Sequence, residues 1–250
     1  MNKFVFCTLN LAVLFFAACG DDSSSATCPS DESSSSVALS SSSTLSVTGN
    51  LLDSRDGQSY KTVVIGSQTW MAENLNYETA NSYCYNDSAK YCDKYGRLYT
   101  WAAAMDSAGT WSSNGKGCGV FETCSPTYPV RGACPSGWHL PTKAEFETLF
   151  TTVGGQSTVG IMLKSTSGWN NGCNGTDAYS FSALPAGFRE IFGMGYDSEG
   201  YRADYWSSTD DNNGWNGYAY HMGLYDSRDG AFLDLNLKNS GYSVRCVKDL

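Results

Sequence analysis

The sequence predicts an α+β domain with an antiparallel sheet. Three observations carry this: helical periodicity falls early in the chain, short β-like runs between Gly- and Asn-rich turns dominate from Tyr179 onward, and the cysteines suit a disulfide-braced module.

Met1-Asn2-Lys3 precedes an apolar stretch from Phe4 to Ala18 that is broken by Cys7, Thr8 and Asn10. It is too short to cross a hydrocarbon layer of roughly 30 Å as a permanent helix, and residues 1–18 have the layout of a signal peptide. Phe16-Ala17-Ala18-Cys19-Gly20 resembles the bacterial lipobox, with Phe16 where leucine is usual. Cys19 is therefore the expected lipidation site, against the alternative of plain secretion after Ala18. Acyl chains there would anchor the protein to the envelope, at the outer membrane, without spanning it. Up to residue 49 the chain is dominated by serine and nearly free of large apolar side chains, which predicts an extended linker. Residues 50–250 remain for one domain.

The formal net charge of −9 and pI near 4.6 oppose nucleic-acid or anionic-membrane binding. Of ten cysteines, setting aside Cys7 and Cys19 leaves eight, an even set that reads as disulfides in an exported chain. Cys84 and Cys92 close one short loop, Cys118 and Cys124 another. Cys134 with Cys246 could tie the middle of the domain to its C-terminus, while Cys28 and Cys173 have no obvious partners.

Asp53-Ser54-Arg55-Asp56-Gly57 is a turn former. The runs Tyr60–Ile65 and Gln68–Met71 around Gly66-Ser67 read as a hairpin. Leu98, Trp101, Ala102 and Met105 fall at helical spacing, as do Phe146, Leu149, Phe150 and Val153. Thr142 with Glu145 makes a capping box for the second helix. Strands are expected near Phe181–Leu184, Tyr205–Ser208, Tyr218–Leu224, Phe232–Leu237 and Tyr242–Val247. The pentapeptide Asp53–Gly57 recurs at Asp226–Gly230, where carboxylates could serve calcium; Asx-type turns ending in glycine are the simpler reading.

Six phrases, Gln68–Leu75, Tyr95–Trp101, Cys134–Thr142, Ala183–Gly187, Tyr205–Ser208 and Ser243–Val247, closely resemble in their order the Fibrobacter succinogenes major paralogous domain, from Leu52 to Asp249. That resemblance implies a secreted or lipid-anchored protein of a many-copy family without an established activity. More distantly, His139–Thr142 with Glu145, and Val244–Val247, resemble the formylglycine-generating-enzyme branch of the C-type lectin-like fold. This second resemblance implies a C-type lectin-like module with a twisted antiparallel sheet, two helices and long loops.

An oxidase of that branch needs reactive cysteines, whereas Cys134 and Cys246 look like disulfide partners. Trp169-Asn170-Asn171 only partly echoes a lectin calcium strand, and the proline triplet of such sites is missing, so no metal and no cofactor are expected. His139 and His221 lack zinc-site spacing and read as structural. No serine-nucleophile elbow occurs. Glu199, Asp204, Asp210 and Asp211 are available carboxylates, for which loop solvation is an adequate account.

Seven tryptophans, sixteen tyrosines and eleven phenylalanines favour ring stacking on sugars. Trp70, Trp101, Trp138 and Trp206, inside the family phrases, are expected in the core. Trp111, Trp169 and Trp215, in Gly- and Asn-rich loops, are the candidate ligand contacts. The sequence thus points to a lipid-anchored surface protein with a non-catalytic module for polysaccharide or a surface protein partner. The alternative is an enzyme acting on polysaccharide or protein through loop carboxylates.

Overall fold

The computed structural model describes residues 48–211 and 215–250. The signal peptide, Cys19, Cys28 and nearly all of the Ser-rich tract lie outside the described residues.

Strand β1 (Thr48–Leu52) pairs antiparallel with β2 (Ser59–Ile65). Between them, Gly57 N–H donates to Asp53 O at 2.8 Å and Asp53 N–H to Gln58 O at 2.8 Å, closing the expected turn. β2 then forms a hairpin with β3 (Gln68–Met71), with Ile65 opposite Gln68. Gly66 opens that two-residue turn at φ +61, where a side chain would be strained. Short strands β12 (Val247–Lys248) and β6 (Trp138–His139) complete a five-stranded sheet in the order β1-β2-β3-β12-β6. β1 was not expected: it is mostly exposed and lacks apolar alternation.

A second sheet has the order β11-β10-β9, formed by Arg202–Asp210 (β9), Tyr218–Tyr225 (β10) and Ala231–Leu237 (β11), all antiparallel. Two-residue strands β4 (Ser82–Tyr83) with β5 (Leu98–Tyr99), and β7 (Phe188–Arg189) with β8 (Tyr196–Asp197), form separate pairs. Successive side chains of a strand point to opposite faces, and β9 uses both faces. Ala203 and Tyr205 enter one apolar cluster, with Met222 and Leu224 of β10, and Trp206 enters another with Ala219.

Four helices are described, where two were expected. Helix α3 (Lys143–Thr152) has the full capping box, with Thr142 Oγ1 accepting from Glu145 N–H and the Glu145 carboxylate accepting from Thr142 N–H. Its buried Phe146, Leu149 and Phe150, with Val153 at the C-cap, join Trp70 in the first cluster. The helix expected from Leu98 to Met105 is shorter: α2 covers only Trp101–Ala104. Leu98 instead pairs with Tyr83, and Tyr99 exchanges 2.7 and 3.0 Å backbone bonds with Tyr242. Helical spacing correctly marks Leu98, Trp101 and Met105 as core, but strand partners from elsewhere in the chain decide the backbone of Leu98 and Tyr99. Helices α1 (Ala89–Tyr95) and α4 (Val159–Leu163) are too short to show a clear period.

Phe181–Leu184 forms only a Lys164–Ala183 bridge, and Tyr242–Val247 contributes bridges before β12. A buried cation links the two segments. Arg245 Nε donates to Asn74 Oδ1 at 2.8 Å, and its guanidinium donates to Phe181 O and Ser182 O. Asn74 Nδ2 in turn donates to Tyr95 O at 2.8 Å. Backbone bonds run beside these contacts, with Ala183 N–H donating to Leu163 O and Leu75 N–H to Val244 O, each at 2.9 Å. Disulfides join Cys84 to Cys92, Cys118 to Cys124 and Cys134 to Cys246, and Cys173 is disulfide-bonded as well. No helix among the described residues is long and apolar enough to cross a membrane.

Candidate ligand-binding surface

The disulfide from the buried Cys118 to Cys124 closes a short loop in which Phe121, Glu122 and Thr123 are exposed. At its tip, Phe121 takes a left-handed φ of +60 and is 54 % exposed. Its N–H donates to Asn216 O at 3.0 Å, and Asn216 Nδ2 donates to Thr123 Oγ1 at 2.9 Å. The loop is thereby clamped to the residues that lead into β10. There Trp215, 55 % exposed, lies with its ring centroid 5.6 Å from Phe121 and 5.2 Å from Tyr218.

Both rings pack closely over Gly217. A Cβ there would sit 3.2 Å from the Trp215 ring and 3.3 Å from the Phe121 ring, so both rings rest on bare backbone. The result is an exposed aromatic surface with an amide and a hydroxyl at its edge.

The other two candidate tryptophans are placed differently. Trp169 is buried at 4 % exposure within the first cluster, and its indole N–H donates to Ala183 O at 3.1 Å. The flanking Gly- and Asn-rich turns carry this ring inward, to the core and away from the surface. Trp111 is half-buried and occupied within the molecule. It meets the Tyr77 ring edge-on at 5.5 Å and lies 5.2 Å from the Arg55 guanidinium, which also covers Tyr77 at 3.9 Å. Trp70, Trp101, Trp138 and Trp206 are buried, as expected.

Asp204, Asp210 and Glu199 each meet a partner within the molecule. Asp204 is fully buried, 2.6 Å from Arg202 Nε and 3.3 Å from His221 Nε2. The guanidinium lies 5.0 to 5.1 Å from the Tyr225 and Phe188 rings. Burial works against the Arg202 charge, but the Asp204 carboxylate outweighs it and holds the group above its ordinary value. Glu199 accepts from Tyr95 OH at 2.6 Å and from Lys94 Nζ at 3.3 Å, and Asp210 lies 3.4 Å from the buried Lys238 ammonium. A 310 Å³ cleft beside α1 is lined by Tyr60, Asn74 and Glu73, and both oxygens of Glu73 face Lys61.

The histidines are both built into the fold. His139 lies between Glu145 and Asp249, and His221 is packed among Trp206, Phe232 and Tyr242. The repeated Asp-led turns are likewise filled. Asp53 is bonded to its own Arg55, with Nη2 at 2.6 Å from Oδ2. At the second turn, Lys164 Nζ donates to the carbonyls of Tyr225, Asp226 and Arg228, each at 3.2 Å, so an ammonium holds the oxygens a cation would use. Among the described residues, no group of three or more His, Cys, Asp and Glu side chains is gathered as a metal site.

Phe121 and Tyr218 are the surface residues that sequence reasoning missed. A large apolar residue among the five between two bonded cysteines has little room to bury itself, which was a usable signal for Phe121. Tyr218 had no comparable mark.

No curated protein and no solved structure matches the chain. The model of the Fibrobacter succinogenes major domain matches residues 63–248, and over that span, which holds both sheets' central strands and the aromatic surface, the chain belongs to this family.

Proposed function

We propose that the chain is a cell-envelope lipoprotein, lipidated at Cys19, whose module binds a glycan without catalysis at Phe121, Trp215 and Tyr218. The observation that carries this reading is the pair of exposed rings, Phe121 and Trp215, held by a disulfide and two inter-loop hydrogen bonds. Aromatic faces take the C–H patches of sugars, while the neighbouring amide and hydroxyl suit hydroxyl groups. Preorganised rings lose little freedom on binding. The bracing by disulfides accords with a protein working outside the reducing cytoplasm. Two packed sheets with long disulfide-tied loops also accord with a C-type lectin-like architecture.

Glycan-array and insoluble-polysaccharide capture with the full chain tests this reading. Binding should be lost in Trp215→Ala, reduced in Phe121→Ala and unchanged in Trp111→Ala. Capture that survives Trp215→Ala, or no capture by any glycan from a folded chain, overturns it.

A further inference from the structure

We infer that the Phe121–Trp215–Tyr218 surface takes a single, separated chain of a neutral polysaccharide and not the flat face of a packed one; this rests on the glycan reading above. The three rings share no plane. Trp215 is turned 50° from Phe121 and 47° from Tyr218, at centroid distances short enough for each pair to touch. The surface is therefore faceted.

A crystalline polysaccharide face presents its sugar rings in one plane, so it can lie flat on one of these facets at a time. A separated chain turns about its glycosidic bonds and can present successive rings at different angles, which lets two facets work together. Stacking strength follows the area removed from water, so contact with a second facet decides between the two forms.

The backbone beneath the facets is held in place. Phe121 is held from both sides, by the Cys118–Cys124 disulfide and by its N–H bond to Asn216 O. Trp215 and Phe121 both rest against Gly217, whose own carbonyl accepts from Lys238 N–H at 2.9 Å.

The charge of the ligand follows from the rim. Asn216 and Thr123 offer neutral polar groups, Glu122 is exposed within the same disulfide span, and the chain carries a net charge of −9. An acidic polysaccharide would meet like charge here. A neutral one would not.

The test offers the full chain cellulose, mannan and chitin, each as a crystalline powder and as the same material swollen in acid, with capture normalised to accessible surface. At least one swollen form should capture the chain about tenfold better than its crystalline counterpart, which corresponds to about 1.4 kcal/mol, and Trp215→Ala should abolish the difference. Equal or tighter capture by the crystalline forms overturns the separated-chain inference while leaving the glycan reading standing. Stronger capture by an acidic polysaccharide such as polygalacturonate overturns the neutral assignment. Retention by none of these, with array binding absent and circular dichroism showing a folded chain, overturns the inference and the glycan reading together.

Discussion

His139 Nδ1 lies 2.7 Å from Asp249 Oδ1, joining strand β6 to the residue that follows β12. Its Nε2 lies 2.8 Å from Glu145 Oε1, in the carboxylate that also caps α3. Ionised carboxylates only accept, so an imidazole that serves both must donate from both nitrogens and carry a charge.

A pH profile follows. Burial opposes the His139 charge, but the bonds to Glu145 and Asp249 outweigh it and raise the group above 6.5. Its stabilisation is therefore complete below 6.5 and is lost as pH rises through the raised folded value. Burial also opposes the Glu145 charge, but His139 and Thr142 outweigh it and hold the carboxyl below 4.5. That contribution is complete above 4.5 and is lost as pH falls through the depressed folded value. Denaturant melts should show a plateau between about pH 4.5 and 6.5, with His139→Gln removing about 1 kcal/mol there after allowance for the partly exposed Asp249. A wild-type profile that rises from pH 6.5 to 9 would contradict this.

The disulfide between Cys134 and Cys246 spans 112 residues and lies in the second apolar cluster. In the loop-entropy account it contributes up to about 5 kcal/mol, and the Cys118–Cys124 link about 2 kcal/mol. Replacing both Cys134 and Cys246 by alanine should lower the melting temperature far more than the same change at Cys118 and Cys124. The latter pair should instead release Phe121 and weaken glycan capture. Coincident melts with and without reductant would refute the first expectation.

Asp204 and Arg202 form a buried ion pair on one face of β9, with Asp204 side-chain exposure at 0 %. Asp204→Asn leaves the guanidinium without its carboxylate and should cost about 3 kcal/mol, whereas Arg202→Met combined with Asp204→Leu should recover much of that loss. Urea midpoints of the two variants decide it; a single variant as stable as the double would contradict the pairing.

Arg245 is fully buried and donates to Asn74, Phe181 and Ser182, with its guanidinium 4.4 Å from the Phe181 ring centroid. A lysine offers one ammonium to acceptors arranged around a planar fork. Arg245→Lys should therefore destabilise by about 2 kcal/mol or more, because acceptors remain buried without donors. Urea unfolding measures this, and a midpoint unchanged from wild type would refute it.

The phrases that make the family recognisable are largely interior. Trp70 and Asn74, Trp101, Cys134 and Trp138, Trp206, and Arg245 and Cys246 are all buried. They record how the chain holds itself together, which is why family membership was legible and a ligand was not.

Local chemistry alone determined the features that close over a few residues. The Asp53 and Gly66 turns, the Thr142–Glu145 cap and the apolar stripe of α3 need no distant partner to be favourable. Tertiary structure alone decided the rest. Leu98 became strand because Tyr83 lay beside it, and Tyr99 because Tyr242 did. Asp204 became an interior anion because Arg202 and an aromatic shell surround it. Trp169 and Trp215 occupy similar loop sequences, yet one is buried and the other exposed. The physical reason is that burial depends on which surfaces meet, and those surfaces come from residues far apart in the chain.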